Sequence, residues 1–355
     1  MPNEFQKYRE LNINGRVVSH RNLTDFANSF EDEALLPFLV GWFSGDDYVE
    51  LNTSGSTGEP TTIIVKKDAM VASAKNTIVF FGLKPGEKAL LSLPVSFVAG
   101  KLMVIRAMVA QIHLIALRPS VNPLVDLSVA VDFAAFTPMQ MTAIIEKSPE
   151  KVKLLKKVII GGGSVDESLN EILKKMPFDA WETYGMTETL THVALRKING
   201  TGSQTSFFVL PGVSVSKDAR GCLIVDYPEI SPEPIITNDV AEFLPDGSFV
   251  ITGRADNIIN SGGVKISPEL LERRISHLIE KPFVFSSIPH EDYGERVVLV
   301  IEGELFEYGN LEEKTSALLS RYEKPAKIIF LDTFPRTDNG KIKRFQIKEI
   351  LRGLT

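Results

Sequence analysis

The pattern of apolar and polar positions predicts alternating strands and helices through the middle of the chain. Apolar runs of strand length occur at residues 89–94, 112–117, 133–137 and 157–160. Helix-length segments such as residues 138–147 separate them, so the period of the pattern switches repeatedly. This alternation favours an α/β fold with a mostly parallel sheet flanked by helices, in which ligands gather beyond the carboxyl ends of the strands.

The pattern changes twice toward the carboxyl terminus, and the second change predicts a domain boundary. Residues 207–251 contain short β-rich runs and the hairpin signal Asp246-Gly247, which favours a small β-barrel-like region or antiparallel sheet. A compact α+β pattern follows, with Ser267-Pro268 as a helix start whose hydroxyl would form the N-cap. We therefore predict a large domain of residues 1–253 and a small mobile domain of residues 254–355.

A loop rich in hydroxyl groups and glycines lies between two strand-like stretches near the amino terminus. Glycines let backbone N–H groups form a concave surface, and hydroxyls add uncharged hydrogen-bond donors. The loop is not a Walker motif, because its glycines are too close together and Glu59 stands at the lysine position. Alone, it fits a phosphate-binding loop or an ordinary turn equally well. Its candidate binding residues are Thr53, Ser54, Gly55, Ser56, Thr57 and Gly58.

Composition and charge narrow the classes of function. The chain has 355 residues, of which 44% are hydrophobic, enough for a large core and two domains. The net charge is −6 and the sequence has no block of lysine or arginine residues, which argues against a nucleic acid partner. Cys222 is the one cysteine, so an internal disulfide and a cysteine-based zinc cluster are excluded. The five histidines show no metal-ligand spacing.

Two features of the sequence argue against a secreted or membrane-spanning protein. The longest apolar tract, residues 102–117, is interrupted by polar positions, which favours a buried strand or helix pair over a bilayer span. The first residues, Met1 to Glu4, lack a basic and then apolar leader. We expect a cytoplasmic protein with no membrane span. The sequence leaves the oligomeric state open, a homo-oligomer included.

Several loop motifs follow one another in a fixed order along the chain. Gly161-Gly162-Gly163 follows a strand but fails as a dinucleotide-binding fingerprint, because Asp166 occupies the third glycine position; this disfavours a nicotinamide enzyme. Taken singly, each motif is also compatible with an ordinary turn or a solvated ion pair. The later motifs are Tyr184-Gly185-Met186-Thr187-Glu188-Thr189, Thr237-Asn238-Asp239, Gly253-Arg254-Ala255-Asp256, Ser261-Gly262-Gly263 and Pro335-Arg336-Thr337 with Gly340-Lys341.

As an ordered set, these motifs make coincidence implausible. The sequence resembles the adenylate-forming superfamily of acyl-CoA synthetases, adenylation domains and luciferases over roughly residues 50–350. The resemblance implies an enzyme that uses ATP and Mg²⁺ to convert a carboxylic acid to an acyl-adenylate. Coenzyme A then displaces AMP to give a thioester.

The resemblance also implies roles for particular residues. The catalytic residues would be Lys341, Thr187 and Glu188, with Glu188 as the Mg²⁺ ligand because this hard cation favours oxygen. Asp256 would be the hinge between the domains. The nucleotide and coenzyme A would contact the 53–58 loop (phosphates), Gly161, Gly162, Gly163, Tyr184 and Gly185 (adenine and acyl group), Asp239 and Arg254 (ribose), and Gly262 and Gly263 (pantetheine arm).

Within the superfamily, three features look most like the o-succinylbenzoate-CoA ligases of menaquinone biosynthesis: the short amino-terminal region, residues 93–100 followed by Arg106, and residues 253–263. The acid would then be an aromatic keto-diacid, o-succinylbenzoate, whose second carboxylate needs a cation. Lys101 and Arg106 are the candidates, although either could instead face solvent. The acyl-side residues would be Ser96, Phe97, Lys101, Arg106, Thr189 and His192.

Three positions depart from the family pattern. Thr61 stands where a lysine is usual, Phe97 replaces a common histidine, and Asn238 replaces a glycine. Amino-acid adenylation is the enzymatic alternative, but residues 94–98 lack the aspartate that pairs with a substrate amine. A catalytically silent relative is the other alternative, and retention of Glu188 and Lys341 argues against it. Another aryl or acyl acid remains open as the substrate.

Overall fold

The computed structural model describes residues 3–26, 32–52, 62–304, 310–337, 340 and 342–353. The predicted phosphate loop (Thr53, Ser54, Gly55, Ser56, Thr57 and Gly58) and Lys341 lie outside the described residues.

Strands and helices alternate through the first two thirds of the described chain, as predicted. Short 3-10 turns connect several of them. The α-helices are α1 (Leu35–Phe43), α2 (Lys67–Phe81), α3 (Val98–Ala110), α4 (Pro138–Lys147), α5 (Glu167–Leu173), α6 (Pro268–Ile275), α7 (Leu311–Leu318) and α8 (Arg344–Gly353). The first eleven strands are β1 (Glu10–Ile13), β2 (Arg16–Ser19), β3 (Tyr48–Asn52), β4 (Thr62–Lys66), β5 (Lys88–Leu91), β6 (His113–Ala116), β7 (Val131–Phe136), β8 (Leu155–Ile160), β9 (Asp179–Gly185), β10 (His192–Lys197) and β11 (Phe208–Val209). The later strands are β12 (Ser214–Lys217), β13 (Cys222–Asp226), β14 (Ile235–Phe243), β15 (Phe249–Arg254), β16 (Ile259–Ser261), β17 (Val264–Ile266), β18 (Phe283–His290), β19 (Gly294–Glu302) and β20 (Ile328–Leu331).

The main sheet has nine strands in the order β11-β10-β9-β8-β7-β5-β6-β1-β2. The central strands, from β9 to β1, run parallel. At the edges, β2 pairs antiparallel with β1, β10 with β9, and β11 with β10. Alternate residues of β7 enter two different cores: Phe133 packs with α2 and α3, and Phe136 packs with α4 and α5. A sheet buried on both faces explains why its strands are continuous apolar runs, and it confirms the predicted α/β class.

A four-stranded antiparallel sheet follows, in the order β12-β13-β14-β15. It is one of the two forms expected for this β-rich region. The predicted hairpin turn connects β14 and β15, with Gly247 at φ +84°. Because the register pairs Asp239 with Arg254, the hairpin brings two predicted site residues from distant motifs together.

The carboxyl-terminal part forms its own mixed sheet, β17-β16-β19-β18, with β20 parallel to β19. Helix α6 packs on it and begins at Pro268, as predicted, but the Ser267 hydroxyl is not its N-cap. That hydroxyl instead donates to the carbonyl of Thr252 at 2.7 Å, because β15 lies beside the helix start.

The apolar tract at residues 102–117 consists of most of α3 followed by β6, so it is one helix and one strand where a buried strand or a helix pair was expected. Helix α3 is buried on nearly all sides, which accounts for its almost uniform apolar sequence. In the described part of the chain, no helix combines the length and apolarity needed to cross a membrane.

Candidate active site

The carboxyl ends of three neighbouring strands place the predicted motifs at one edge of the main sheet. Strands β7, β8 and β9 are parallel neighbours that end at Phe136, Ile160 and Gly185. The segments that follow them therefore start side by side. These segments are the beginning of α4, the triple glycine and the loop of residues 186–191, so the edge collects residues that are distant in sequence.

The triple glycine brings backbone close to this edge. The Gly161 N–H donates to the carbonyl of Phe136 at 3.0 Å, and a methyl group at Gly161 would collide with the Thr183 hydroxyl. Gly162 has φ +78°, a conformation that side chains with a Cβ rarely adopt. A Cβ added at Gly163 would lie at ordinary contact distance from the Pro138 ring. The segment thus exposes backbone groups at a point where a side chain would block approach.

Tyr184, Asp239 and Arg254 form a polar group beside the triple glycine. The Tyr184 hydroxyl donates to Asp239 Oδ2 at 2.7 Å, and Arg254 donates to Asp239 Oδ1 at 2.9 Å. Burial and the Asp239 carboxylate raise the pKa of Tyr184, so the phenol stays protonated as a donor. Burial alone would lower the pKa of Arg254, but Asp239 and Asp256 reverse this effect and the net shift is upward.

An aromatic cluster packs against the Tyr184 ring of this polar group. The Tyr184 ring lies 5.9 Å from the Phe207 ring and 5.6 Å from the Phe249 ring, between centroids. Phe207 and Phe249 stack at 5.8 Å, and both are buried. Contacts of this kind fix the orientation of the tyrosine ring, so its hydroxyl is presented to Asp239 in one position.

The loop after β9 is held by one buried hydroxyl. Thr189 Oγ1 accepts the Met186 N–H at 2.9 Å and lies 2.7 Å from the carbonyl of Thr191. Its side chain is therefore engaged with backbone. Thr187 is half-buried and Glu188 is exposed. An exposed carboxylate on a fixed loop fits Mg²⁺, which binds to one or two protein carboxylates while substrate phosphates and water fill its other positions.

Gly185 should be intolerant of substitution, because a Cβ there would lie 2.6 Å from His192 Cα. Backbone cannot move aside cheaply, so we expect Gly185→Ala to destabilise the fold by about 2 kcal/mol or more, as overpacked sites do. Urea unfolding measures this change. Gly163→Ala is the matched control, because its Cβ would meet only Pro138 at 3.7 Å and should change stability little. Equal stability of the two variants would contradict the close packing of Gly185 against the His192 backbone.

A second polar group lies deeper, between α2, α3 and the start of β10. Arg106 donates to the Thr191 hydroxyl at 3.1 Å, and His192 lies between that hydroxyl and Thr77. Both Arg106 and His192 are buried. Burial lowers the pKa of Arg106 to about 9, which leaves it charged at neutral pH. No carboxylate among the described residues forms an ion pair with it, and its Nε has no partner there.

His192 should make the fold acid-sensitive. Burial, and then the Arg106 charge, lower its pKa well below the ordinary value of 6.5. As pH falls below about 6.5, the unfolded chain takes up a proton that the folded chain resists, so stability falls by up to about 1.4 kcal/mol per pH unit. We expect His192→Gln to flatten the decline in urea-unfolding free energy between pH 7.5 and 5.5. His277→Gln, which replaces an exposed histidine, is the control. Identical slopes in both variants would contradict this.

The two predicted acyl-side cations do not share a pocket. Lys101 donates to the carbonyl of Ser96 at 3.0 Å and lines a cleft of about 540 Å³ with Ser96 and Phe38. Burial lowers the pKa of Lys101, opposed by Asp32. Arg106 is five residues further along α3, about 140° around the helix, and faces Thr191 instead. Phe97 is half-buried and immediately precedes α3.

The carboxyl-terminal part reaches the same edge through the turn before Lys341. Gly340 has φ +83°, and a Cβ there would lie 2.9 Å from Met139 Sδ near the start of α4. Pro138 in turn borders Gly163. The turn is fixed by the Gly340 N–H, which donates to the Thr337 carbonyl at 2.8 Å. Gly340 itself therefore lies close to the segment that borders the triple glycine.

Asp256 and Gly262 are both exposed. Asp256 Oδ2 pairs with Arg254 at 3.1 Å and accepts from Asn238 at 3.2 Å, so the unusual Asn238 has a structural partner. Gly262 has φ +58° and lies between the rings of Tyr293 and Tyr322. A Cβ at Gly262 would approach Tyr293 Cδ1 to 2.9 Å, whereas Gly263 is open.

Three residues of these groups had no role in the sequence-based interpretation. Thr191 lies two residues after the predicted motif of residues 184–189, and its position beside His192 was a usable signal. Met139 follows a proline at a predicted helix start. Thr77 lies inside α2 with no local signal, because only the tertiary fold brings it to His192.

Comparison with known proteins decides the family. A sequence profile described as AMP-binding enzyme matches residues 16–216. The chain belongs to this family. The 2-succinylbenzoate–CoA ligase of Salmonella typhimurium is 28% identical over 320 residues, which cover 84% of this chain and 67% of that protein. The match confirms the predicted superfamily and the enzyme class, an ATP-dependent acid–thiol ligase.

Solved structures agree with this assignment. The acyl-CoA synthetase (AMP-forming)/AMP-acid ligase II-like protein of Dyadobacter fermentans is 35% identical, with a TM-score of 0.60, and the match covers 89% of this chain and 93% of that one. The o-succinylbenzoate coenzyme A synthetase (MenE) of Bacillus subtilis, solved with ATP and magnesium ion, has a TM-score of 0.72 at 20% identity, covering 84% and 69%. At that identity the likeness shows a common fold.

Proposed function

We propose that this AMP-binding enzyme is an acid–CoA ligase that activates a carboxylic acid with ATP and transfers the acyl group to coenzyme A. The observation that carries the proposal is the Tyr184–Asp239–Arg254 group beside the triple glycine. A buried carboxylate held by a phenol and a guanidinium presents fixed acceptors for the two ribose hydroxyls. The adjacent backbone at Gly161 to Gly163 leaves room for the adenine.

The phosphate end of ATP would extend toward Thr187, Glu188 and the 53–58 loop. Mg²⁺ bound at Glu188 would neutralise part of the phosphate charge. The fixed position of the 186–191 loop, set by Thr189, would hold the Thr187 hydroxyl as a donor to phosphate. These residues bind and orient the nucleotide, while the chemistry takes place between the acid and the α-phosphate.

The proposed acid is an aromatic keto-diacid, o-succinylbenzoate. Arg106 supports this choice better than Lys101. It is a buried guanidinium without a carboxylate partner among the described residues, and such a group is costly unless a ligand supplies the anion. The name of the Salmonella relative agrees with a diacid. Met103 lies beside Arg106 and offers an apolar wall, with Met103 Sδ 3.5 Å from the guanidinium.

Two poses of a carboxyl-terminal domain, residues 254–355, would divide the reaction. In the first, the turn at Gly340 rests on Met139 and delivers Lys341 to the acid and the α-phosphate. In the second, rotation about Asp256 would bring Gly262 and Gly263 to the same edge, where the narrow gap beside Tyr293 admits the pantetheine arm. The Asp256–Arg254 ion pair belongs to the first pose.

The experiment is a direct assay of acyl-CoA formation by mass spectrometry. ATP, Mg²⁺, coenzyme A and one acid at a time are supplied from a panel of o-succinylbenzoate, benzoate, a long-chain fatty acid and amino acids. We expect thioester and AMP with the diacid. Thioester from benzoate or the fatty acid at far higher kcat/KM would overturn the diacid assignment and keep the ligase. Adenylation of amino acids without formation of a thioester would overturn both the diacid assignment and the proposed acid–CoA ligase activity.

A further inference from the structure

We propose that Thr77, His192 and Thr191 are positioning residues for acid recognition: their hydrogen bonds fix the Arg106 guanidinium for an anionic group of the substrate. This inference rests on the proposed function and extends it to residues outside the nucleotide site. The four side chains come from α2, α3 and the start of β10, and all of them are buried.

We assign the donors and acceptors of this group by starting from the Thr77 hydroxyl. The Thr77 hydroxyl donates to the carbonyl of Ser73 at 3.3 Å, so toward His192 Nε2, also at 3.3 Å, its oxygen must accept. His192 therefore carries its proton on Nε2, and its Nδ1 accepts from the Thr191 hydroxyl at 3.4 Å. The Thr191 oxygen is then free to accept from Arg106 at 3.1 Å.

Each link depends on the one before it. If Thr77 could not accept, Nε2–H would lose its partner and the imidazole would have no preferred tautomer. With the proton on Nδ1, the Thr191 oxygen would accept from His192 as well as from Arg106, so the Thr191 hydroxyl would lose the acceptor that orients it. A neutral imidazole is required throughout, because a proton on Nδ1 would remove the acceptor that orients Thr191.

The Arg106 guanidinium has donors left over after this link. Its NH1 faces only Met103 Sδ, a weak acceptor at 3.5 Å, and its Nε has no partner in the described part of the chain. A fork of buried N–H donors fits a carboxylate, which accepts from two of them in one plane. A guanidinium held from one side by Thr191 keeps that fork in a fixed direction, which is what discrimination between a diacid and a monoacid requires.

The test compares Thr77→Val, which keeps the shape but removes the hydroxyl, with Thr77→Ser, which restores it. The probes are o-succinylbenzoate and the two monoacids that each lack one of its carboxylates. We expect Thr77→Val to raise the KM for the diacid by up to about tenfold, the upper end for one lost neutral hydrogen bond, with kcat and the KM for the better monoacid nearly unchanged. Thr77→Ser should recover the wild-type KM.

Thr315→Val is the matched control, because Thr315 is also buried in a helix and its hydroxyl donates to the carbonyl four residues earlier. It should leave the KM ratio of diacid to monoacid unchanged. Thr191→Val breaks the next link and tests the same idea if Thr77→Val folds poorly; it should raise the diacid KM at least as much.

Calorimetric binding of o-succinylbenzoate gives a second readout that needs no turnover. Weaker binding of the diacid to Thr77→Val, with unchanged binding of the monoacid, supports the inference even if product is not formed. An unchanged diacid-to-monoacid ratio in both Thr77→Val and Thr191→Val overturns it while the proposed ligase stands. Failure of the wild-type protein to bind or activate any acid overturns the proposed function and this inference together.

Discussion

Lys341→Ala should slow formation of the acyl-adenylate by on the order of a hundredfold or more, the size expected when one fixed charge is removed from a transition state. Negative charge accumulates where the acid attacks the α-phosphate, and Lys341, the residue after Gly340, would offset it. The contact with Met139 brings Gly340 to the edge of the sheet that holds the triple glycine. Rapid-quench measurement of pyrophosphate release gives the rate.

The same variant should form thioester from supplied acyl-adenylate at nearly the wild-type rate, because the proposed second pose does not use Lys341. Lys343→Ala, two residues further along the chain, is the control for a general change of surface charge and should change neither rate much. Equal loss of both half-reactions in Lys341→Ala, with the fold intact, would contradict this division of labour.

Arg106→Leu should raise the KM for o-succinylbenzoate by on the order of a hundredfold or more. The expected loss follows from removing the buried cation that partners the second carboxylate, a change that typically costs several kcal/mol. The KM for a monoacid should not rise. Steady-state kinetics with the diacid and the matched monoacids measure both values.

The stability of Arg106→Leu separates this role from a structural one. Arg106 is a buried charge with no carboxylate partner in the part of the chain that the structure describes, so replacing it with an apolar side chain should leave the unfolding free energy unchanged or higher. Lys101→Met is the matched control, because Lys101 faces the other cleft and its loss should leave the diacid KM within about twofold. A large KM effect in Lys101→Met and none in Arg106→Leu would contradict the proposal and indicate that Lys101 binds the second carboxylate.

Much of the fold could be predicted from the sequence because its signals are local. A sheet covered on both faces requires continuous apolar strands, and residues 133–137 and 157–160 show them directly. Asp246-Gly247 fixes a hairpin by its own backbone preference. Ser267 shows the limit: its position as a helix start was predicted correctly, but its hydroxyl partner belongs to β15 and depends on packing.

The candidate site divides in the same way. Ordered motifs identified Tyr184, Asp239 and Arg254, and the β14–β15 register brings the last two together. The sequence could not show which of Lys101 and Arg106 is the better candidate for the second carboxylate. Both lie on one apolar helix, and only the residues that pack against each face of the helix distinguish them. Thr77 was out of reach for the same reason: a threonine inside a helix acquires its role from a histidine more than a hundred residues away.

The most direct test of the central claim is pyrophosphate exchange into ATP in the absence of coenzyme A. The account predicts exchange that requires Mg²⁺ and o-succinylbenzoate together, and that falls to background when Asp239 is replaced by Ala. Exchange that proceeds equally well without any acid, or no exchange with any acid of the panel in a folded and ATP-binding protein, would contradict it.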